Sequence, residues 1–302
     1  MHPAMKITPL AFDSMGVRSM ATLVETDDVR ILIDPAVALG PYRNGLPPHP
    51  LEIAEMKERW ARIKEMASGC DSLIVTHYHY DHHNPDEPEV YEGKRVLVKH
   101  PKENINYSQK QRAAFFLKHI GPAAKKIDFS DGNRFKFGKT EVAFSRAVPH
   151  GTNSMLGYVT MVSISDGSER FLHTSDVEGP SLDEQAKFMI DSKPDVLICD
   201  GPMTYMLGYR YPAPALEASV RNLVRLIDEC GTRTLVLDHH FLRDIKWKER
   251  IPVLLEKCKD SGSKVQTAAE FAGEETNLLE SIRAELYKRH PADKKQYKVR
   301  ED

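Results

Sequence analysis

No stretch of this chain approaches the roughly 20 consecutive apolar residues that a bilayer core requires, and the opening Met1-His2-Pro3-Ala4-Met5-Lys6 leads into no apolar leader region. No membrane association is expected, and the expected location is cytoplasmic. Charge of one sign is missing as well. Lys and Arg number 42 against 44 Asp and Glu, so the net charge of −2 offers no overall basic field for a phosphate backbone. Cysteine is scarce: Cys70, Cys199, Cys230 and Cys258 stand far apart, which excludes a zinc ribbon or a redox pair and reads as small apolar residues in a reducing compartment. Internal repeats and low-complexity linkers are absent too. The chain is therefore expected to form one domain over 1–302, with a helical insertion at about 48–68 and a helical tail at about 275–302.

What is present suits a large core, because 41% of residues are hydrophobic and 28% charged. Short β-rich runs at 6–12, 21–25 and 30–33 are broken by Asp13-Ser14-Met15-Gly16 and Asp27-Asp28, where turns are expected. An amphipathic helix follows at 51–67, with Ile53, Met56, Trp60, Ile63 and Met66 on one face. Further strands are predicted at 72–76, 95–98, 155–164 and 170–174, a hairpin at 135–144 and a helix at 108–119. The second half alternates helices at 181–191, 213–229 and 248–259 with strands at 196–199 and 234–237, which points to α/β layering. Residues 275–289 show helical spacing, the charged end 294–302 reads as frayed, and the first five residues read as an extended start.

Chemistry concentrates in His77-Tyr78-His79-Tyr80-Asp81-His82-His83, which holds four of the 13 histidines. Imidazole and carboxylate are preferred ligands of borderline divalent ions, and a loop leaving a buried strand can aim several of them at one point. His77 and His79 can face one ion, while Asp81 and His82 reach a second. Read alone, the run is also compatible with a solvated His-rich turn.

His77-x-His79-x-Asp81-His82 resembles the signature of the metallo-β-lactamase superfamily, and further segments resemble that superfamily's other motifs in order. Arg30-Ile31-Leu32-Ile33-Asp34-Pro35 is similar to the first, Val148-Pro149-His150-Gly151 to the third, Phe171-Leu172-His173-Thr174-Ser175-Asp176 to the fourth and Leu235-Val236-Leu237-Asp238-His239-His240 to the fifth. The likeness extends over 6–240 and looks closest to the lactonase-type branch and to an archaeal group of metal-dependent hydrolases. It implies a four-layer αββα sandwich. It also implies one ion on His77, His79 and His150, a second on Asp81, His82 and a late histidine, Asp176 bridging both, and Asp34 orienting the histidine loop from behind.

The fifth motif departs from a clean match because His239 and His240 are adjacent. Counting from the strand end favours His239 as the ligand, whereas His240-Phe241 followed by Arg243 resembles tRNA 3′-processing endonucleases; the reading adopted is His239, with His240 behind the ligands or touching the substrate. His83 reads as substrate-facing or as a surface histidine, His173 as a buried core histidine, and Asp200 as a cap or a helper at the site. Tyr78 and Tyr80 are expected to wall the loop. Arg146, Arg210 and Arg243 stand near motif ends and are read either as surface charges or as holding a small phosphate.

The expected function is hydrolysis. Two divalent ions, zinc in the first instance with manganese or iron as alternatives, acidify a water that attacks an ester-like, lactone or phosphodiester centre of a small molecule, with Asp81, Asp176 and His240 as catalytic groups. A nucleic-acid phosphodiesterase of the same fold is less favoured, because no clamp or RNA-binding arm is visible. A di-iron redox version of the fold would put a carboxylate where His79 stands. A metal-binding sensor without catalysis stays open, as does the oligomeric state.

Overall fold

Apolar side chains alternate along the short strands and so divide between an inner and an outer face, which forces two sheets together and leaves helices to cover the outside. The computed structural model describes residues 5–294. The expected extended start and frayed end, Met5 and Lys294 apart, lie outside the described residues. The first sheet contains β1 (Lys6–Phe12), β2 (Met20–Glu25), β3 (Arg30–Ile33), β4 (Ser72–Val75), β5 (Arg95–Val98) and β6 (Lys126–Phe129) in chain order. A small ribbon pairs β9 (Val148–Pro149) with β10 (Tyr158–Val159). The second sheet combines β7 (Arg134–Phe137), β8 (Thr140–Phe144), β11 (Val162–Ser165), β12 (Arg170–His173), β13 (Val196–Asp200), β14 (Thr234–Asp238) and β15 (Lys264–Gln266) in the order β15-β14-β13-β12-β11-β8-β7.

Residues one apart on a strand face different layers. Ile31 and Ile33 of β3 join Phe144, Val162, Phe171 and Ile198 between the sheets, while Leu32 packs outward with Leu73 and Val96. That outer face is covered by α1 (Pro50–Ser68) and α2 (Tyr107–Ile120) through Ile63, Ala67, Ala113 and Phe116. On the other side α3 (Asp183–Ser192), α4 (Ala213–Cys230) and α5 (Pro252–Ser261) cover Leu172, Leu197 and Leu235. The result is the αββα sandwich. Two short helices, α6 (Ala268–Ala272) and α7 (Arg283–Arg289), complete the chain, and no helix among the described residues is long and apolar enough to cross a membrane.

Three expectations change. The strand read at 155–164 starts only at Tyr158, because Met155 and Leu156 occupy a turn closed by Gly157, whose φ of 97° suits glycine, and it breaks at Thr160-Met161 into β10 and β11. The helix read from 248 starts at Pro252, after a 3₁₀ turn over Trp247–Arg250, since proline fits the first helical turn. Only Arg283–Arg289 of the 275–289 run is helical; Leu279 before it is buried without regular structure.

The tail is held by ion pairs. Arg18 donates from Nε and Nη2 to the two oxygens of Glu280, each at 2.7 Å. Burial opposes ionisation of Glu280, yet the Arg18 guanidinium holds its carboxyl well below the usual range. A depressed folded pKa contributes stability that is full above the unfolded value of about 4.3 and is lost as pH falls toward the folded one. Glu280→Gln is expected to flatten the acid limb of stability against pH, as read from denaturant midpoints between about pH 7 and about pH 3. An acid limb as steep as that of the parent chain would contradict this account.

Candidate metal centre

Parallel pairing places the ends of β3 and β4 side by side in one sheet, and those of β12, β13 and β14 in the other. The site residues hang from these ends. Asp34 follows β3, His77 to His82 follow β4, Asp176 follows β12, Asp200 ends β13, and His239 and His240 follow β14; His150 leaves the small ribbon. Four of the seven non-glycine residues with positive φ among the described residues, Asp34, Ser175, Glu178 and His239, stand on these corners. Left-handed backbone of this kind is uncommon outside glycine and is held by the surrounding packing.

Donor atoms of His77, His79, His150 and Asp176 lie within 4.8 Å of one another, as do those of Asp81, His82 and His239, and those of Asp176, His239 and His240. Asp176 joins the groups, its oxygens standing 3.5 Å from His77 Nε2, 3.0 Å from His82 Nε2, 3.2 Å from His150 Nε2 and 3.4 Å from His239 Nε2. All the histidines and carboxylates named for the two ions are thus brought together and buried.

The outward Nδ1 atoms are accounted for by hydrogen bonds, except that of His150, which faces a carboxylate without bonding to it. His82 Nδ1 is 2.8 Å from Asp34 Oδ2, and Asp34 also accepts from Thr76 N and Thr76 Oγ1. His239 Nδ1 is 2.7 Å from Asp13 Oδ2, His77 Nδ1 is 3.2 Å from Ser175 Oγ, and His150 Nδ1 is 3.5 Å from Glu178 Oε1. The inward atoms are not. Nε2 of His77, His82, His150 and His239, with Oδ1 of Asp81 and Oδ1 of Asp176, are buried and make no hydrogen bond. Buried polar atoms left so are costly, and several converging at one point fit cation ligation.

Burial, helped by the neighbouring imidazoles, drives His77 well below the ordinary histidine pKa and His79 down to about 3. Both therefore present the neutral ring that ligates metal. At His150 burial acts in the same direction, but Asp176 and Glu178 outweigh it and raise the value to about 10. Burial would also raise Asp176, yet the charges of His82 and His239 hold it well below the carboxylate range.

His240 departs from His239. Its Nδ1 is 3.0 Å from Asp200 Oδ2, and its backbone N–H donates to Asp200 Oδ1. The ring lines a cleft of about 420 Å³ above the cluster, together with His79, Asp81, His150 and Asp176. Asp200 thus orients His240 and also accepts from Glu178 N at 2.8 Å. Gly151, with φ 77°, leaves room for Glu178, into whose carboxylate a Cβ would run.

Several readings are corrected. His83 is neither substrate-facing nor on the surface: it is fully buried, donates from Nδ1 to His79 O at 2.8 Å, and stacks on Tyr80 with Phe116 at its edge. Tyr78 is a core side chain whose hydroxyl donates to Lys99 O. Arg146 is exposed and outside the cleft, whereas Arg210 and Arg243 line it. His173 is the buried core histidine expected, with Nε2 3.0 Å from Met20 O. Asp13, Glu178, Arg18 and Arg112 were not singled out by the sequence. Glu178, two residues beyond Asp176, was within reach of motif reading; Asp13, 226 positions from His239, carried no local signal.

This fold and this convergence of imidazoles define a class. Residues 29–240 match the beta-lactamase superfamily domain, and the chain belongs to that superfamily. More narrowly, it is 56% identical over 290 residues to the UPF0282 protein of Korarchaeum cryptofilum (strain OPF8), covering 96% of each chain. It is 50% identical over 287 residues to the UPF0282 protein of Metallosphaera sedula, covering 94% of this chain and 93% of that one. Among solved structures, the isothiocyanate hydrolase from Delia radicum gut bacteria shares the fold with a TM-score of 0.53 at 14% identity, over 86% of this chain and 95% of that chain.

Proposed function

We propose that the chain is a hydrolase with a dinuclear metal centre acting on an ester-like, lactone or phosphodiester bond of a small molecule. The observation that carries this reading is the set of six buried, unpartnered donor atoms converging from two sheets. His77, His79 and His150 would hold one ion and Asp81, His82 and His239 the other, with Asp176 between them. Zinc suits this imidazole-rich set, and manganese or iron would also be accepted. Bound there, two divalent ions supply an acidified water and neutralise developing oxyanion charge.

The chain's own groups do the rest. Asp34, Asp13 and Glu178 face the Nδ1 atoms of His82, His239 and His150, so each Nε2 points inward. Asp81, on the cleft wall, orients the attacking water. His240 donates from Nδ1 to Asp200, which leaves a lone pair on Nε2 to take the proton of that water and return it to the leaving group. His239 rather than His240 completes the ligand set in this reading, because its Nε2 is buried without a partner, 3.7 Å from Asp81 Oδ2 and 3.4 Å from Asp176 Oδ2.

Metal content after gentle purification, measured beside a panel of phosphodiester, lactone and thioester substrates on the parent chain and on His79→Ala, tests the reading. Bound metal is expected, with turnover of one class falling by about a hundredfold or more in His79→Ala. Full metal content with no turnover of any class would assign a sensing role instead, and absence of metal would end the proposal.

A further inference from the structure

We propose that Arg243 and Arg18 form an anion seat in the wall of the catalytic cleft, and that the substrate is a small amphipathic molecule whose phosphoryl or carboxylate group docks there. The inference rests on the hydrolase reading only in calling the ligand a substrate. Arg243 is 4% exposed and lines the cleft with Asp176 and His240. Its Nε donates to Asp13 Oδ1 at 2.8 Å, while its Nη2 is buried and has no partner. A guanidinium nitrogen left so is expensive unless a ligand supplies the acceptor, and its planar fork matches an oxyanion.

The second wall residue is also pre-set. Arg18 lines the cleft and spends Nε and Nη2 on Glu280, which fixes the plane of its guanidinium. Arg210 lies on the same lining, so cationic side chains gather at one mouth of a chain whose net charge is −2. Asp13 adds rigidity, because the carboxylate that holds Arg243 also holds His239 Nδ1 at 2.7 Å and so fixes the seat relative to the metal centre. Met155 and Leu156 line the same cleft and are 83% and 43% exposed, an apolar surface beside Asn106, Ser108 and Arg112. An anionic head with an apolar body meets both surfaces, and a neutral lactone meets only one.

Calorimetric titration of the metal-loaded protein with phenylphosphonate, with benzoate and with benzyl alcohol tests the seat without turnover. Phenylphosphonate is expected to bind, and Arg243→Lys and Arg18→Gln are each expected to weaken it by about tenfold or more at unchanged metal content, the scale of one charge-assisted hydrogen bond. Equal dependence for benzoate would extend the seat to carboxylates; dependence for phenylphosphonate alone would assign a phosphoryl group. Arg18→Gln, whose side chain bonds Glu280 and none of the metal residues, decides the matter should Arg243→Lys lose metal. Unchanged affinity in the variants, or benzyl alcohol binding as tightly as phenylphosphonate, would overturn the seat. Arginine-dependent binding beside an inactive substrate panel would defeat only the hydrolase reading, and turnover of a neutral lactone without anion binding would defeat only the seat.

Discussion

Asp176→Ala is expected to reduce bound metal from about two ions per chain to one or fewer, and to lower turnover by about a thousandfold or more. The size follows from position. Four Nε2 atoms from His77, His82, His150 and His239 stand within 3.5 Å of its oxygens, so its removal strips the shared carboxylate from both halves of the centre at once. Elemental analysis beside initial rates reads the result. A variant that keeps both its metal and its rate would take Asp176 out of the centre and leave the bridging role without a candidate.

The second large effect is on stability. Arg283 and Glu52 are both fully buried, and Arg283 reaches the Glu52 carboxylate from Nε and Nη2 at 2.8 Å each. The remaining donors go to Leu46 O and Gly40 O, and Glu52 also accepts from His49 N at the start of α1. One ion pair therefore ties α7, α1 and the loop that leads from β3 into α1. Removing a single partner strands a charge in the interior, so Glu52→Ala is expected to cost about 3–5 kcal/mol, read from the shift in denaturant midpoint. The double change Glu52→Leu with Arg283→Met is expected to recover most of that loss, because neither charge is then left buried. A single-variant loss under about 1 kcal/mol would mean that water reaches the pair.

Much of this was legible in the sequence because it is local. The short apolar runs read at 30–33, 72–76 and 234–237 are strands whose alternate residues face opposite layers, and the motifs ending them carry the ligating residue types at short range. What was hidden is whatever depends on distant partners. Asp13 sits in a segment that reads only as a turn, yet it meets His239 and Arg243 across 226 and 230 positions. Arg18 finds Glu280 at a separation of 262, which no pattern within one sequence discloses. His83 misled for a different reason. The N–H groups of His82 and His83 both bond to His79 O, and that tight turn sends His82 into the centre while swinging His83 back among Tyr78, Tyr80 and Phe116.

The corners that carry the ligands belong to strands locked in register, Ile33 against Ile74 in one sheet and Asp200 against Asp238 in the other. The spacing between neighbouring strands, about 4.8 Å, therefore works as a ruler that the backbone itself supplies. Met155 and Arg210 hang outside that ruled frame, on turns. Side chains of the second kind can be exchanged without moving those of the first, so the lining of the cleft is free to change while the cluster beneath it keeps its geometry.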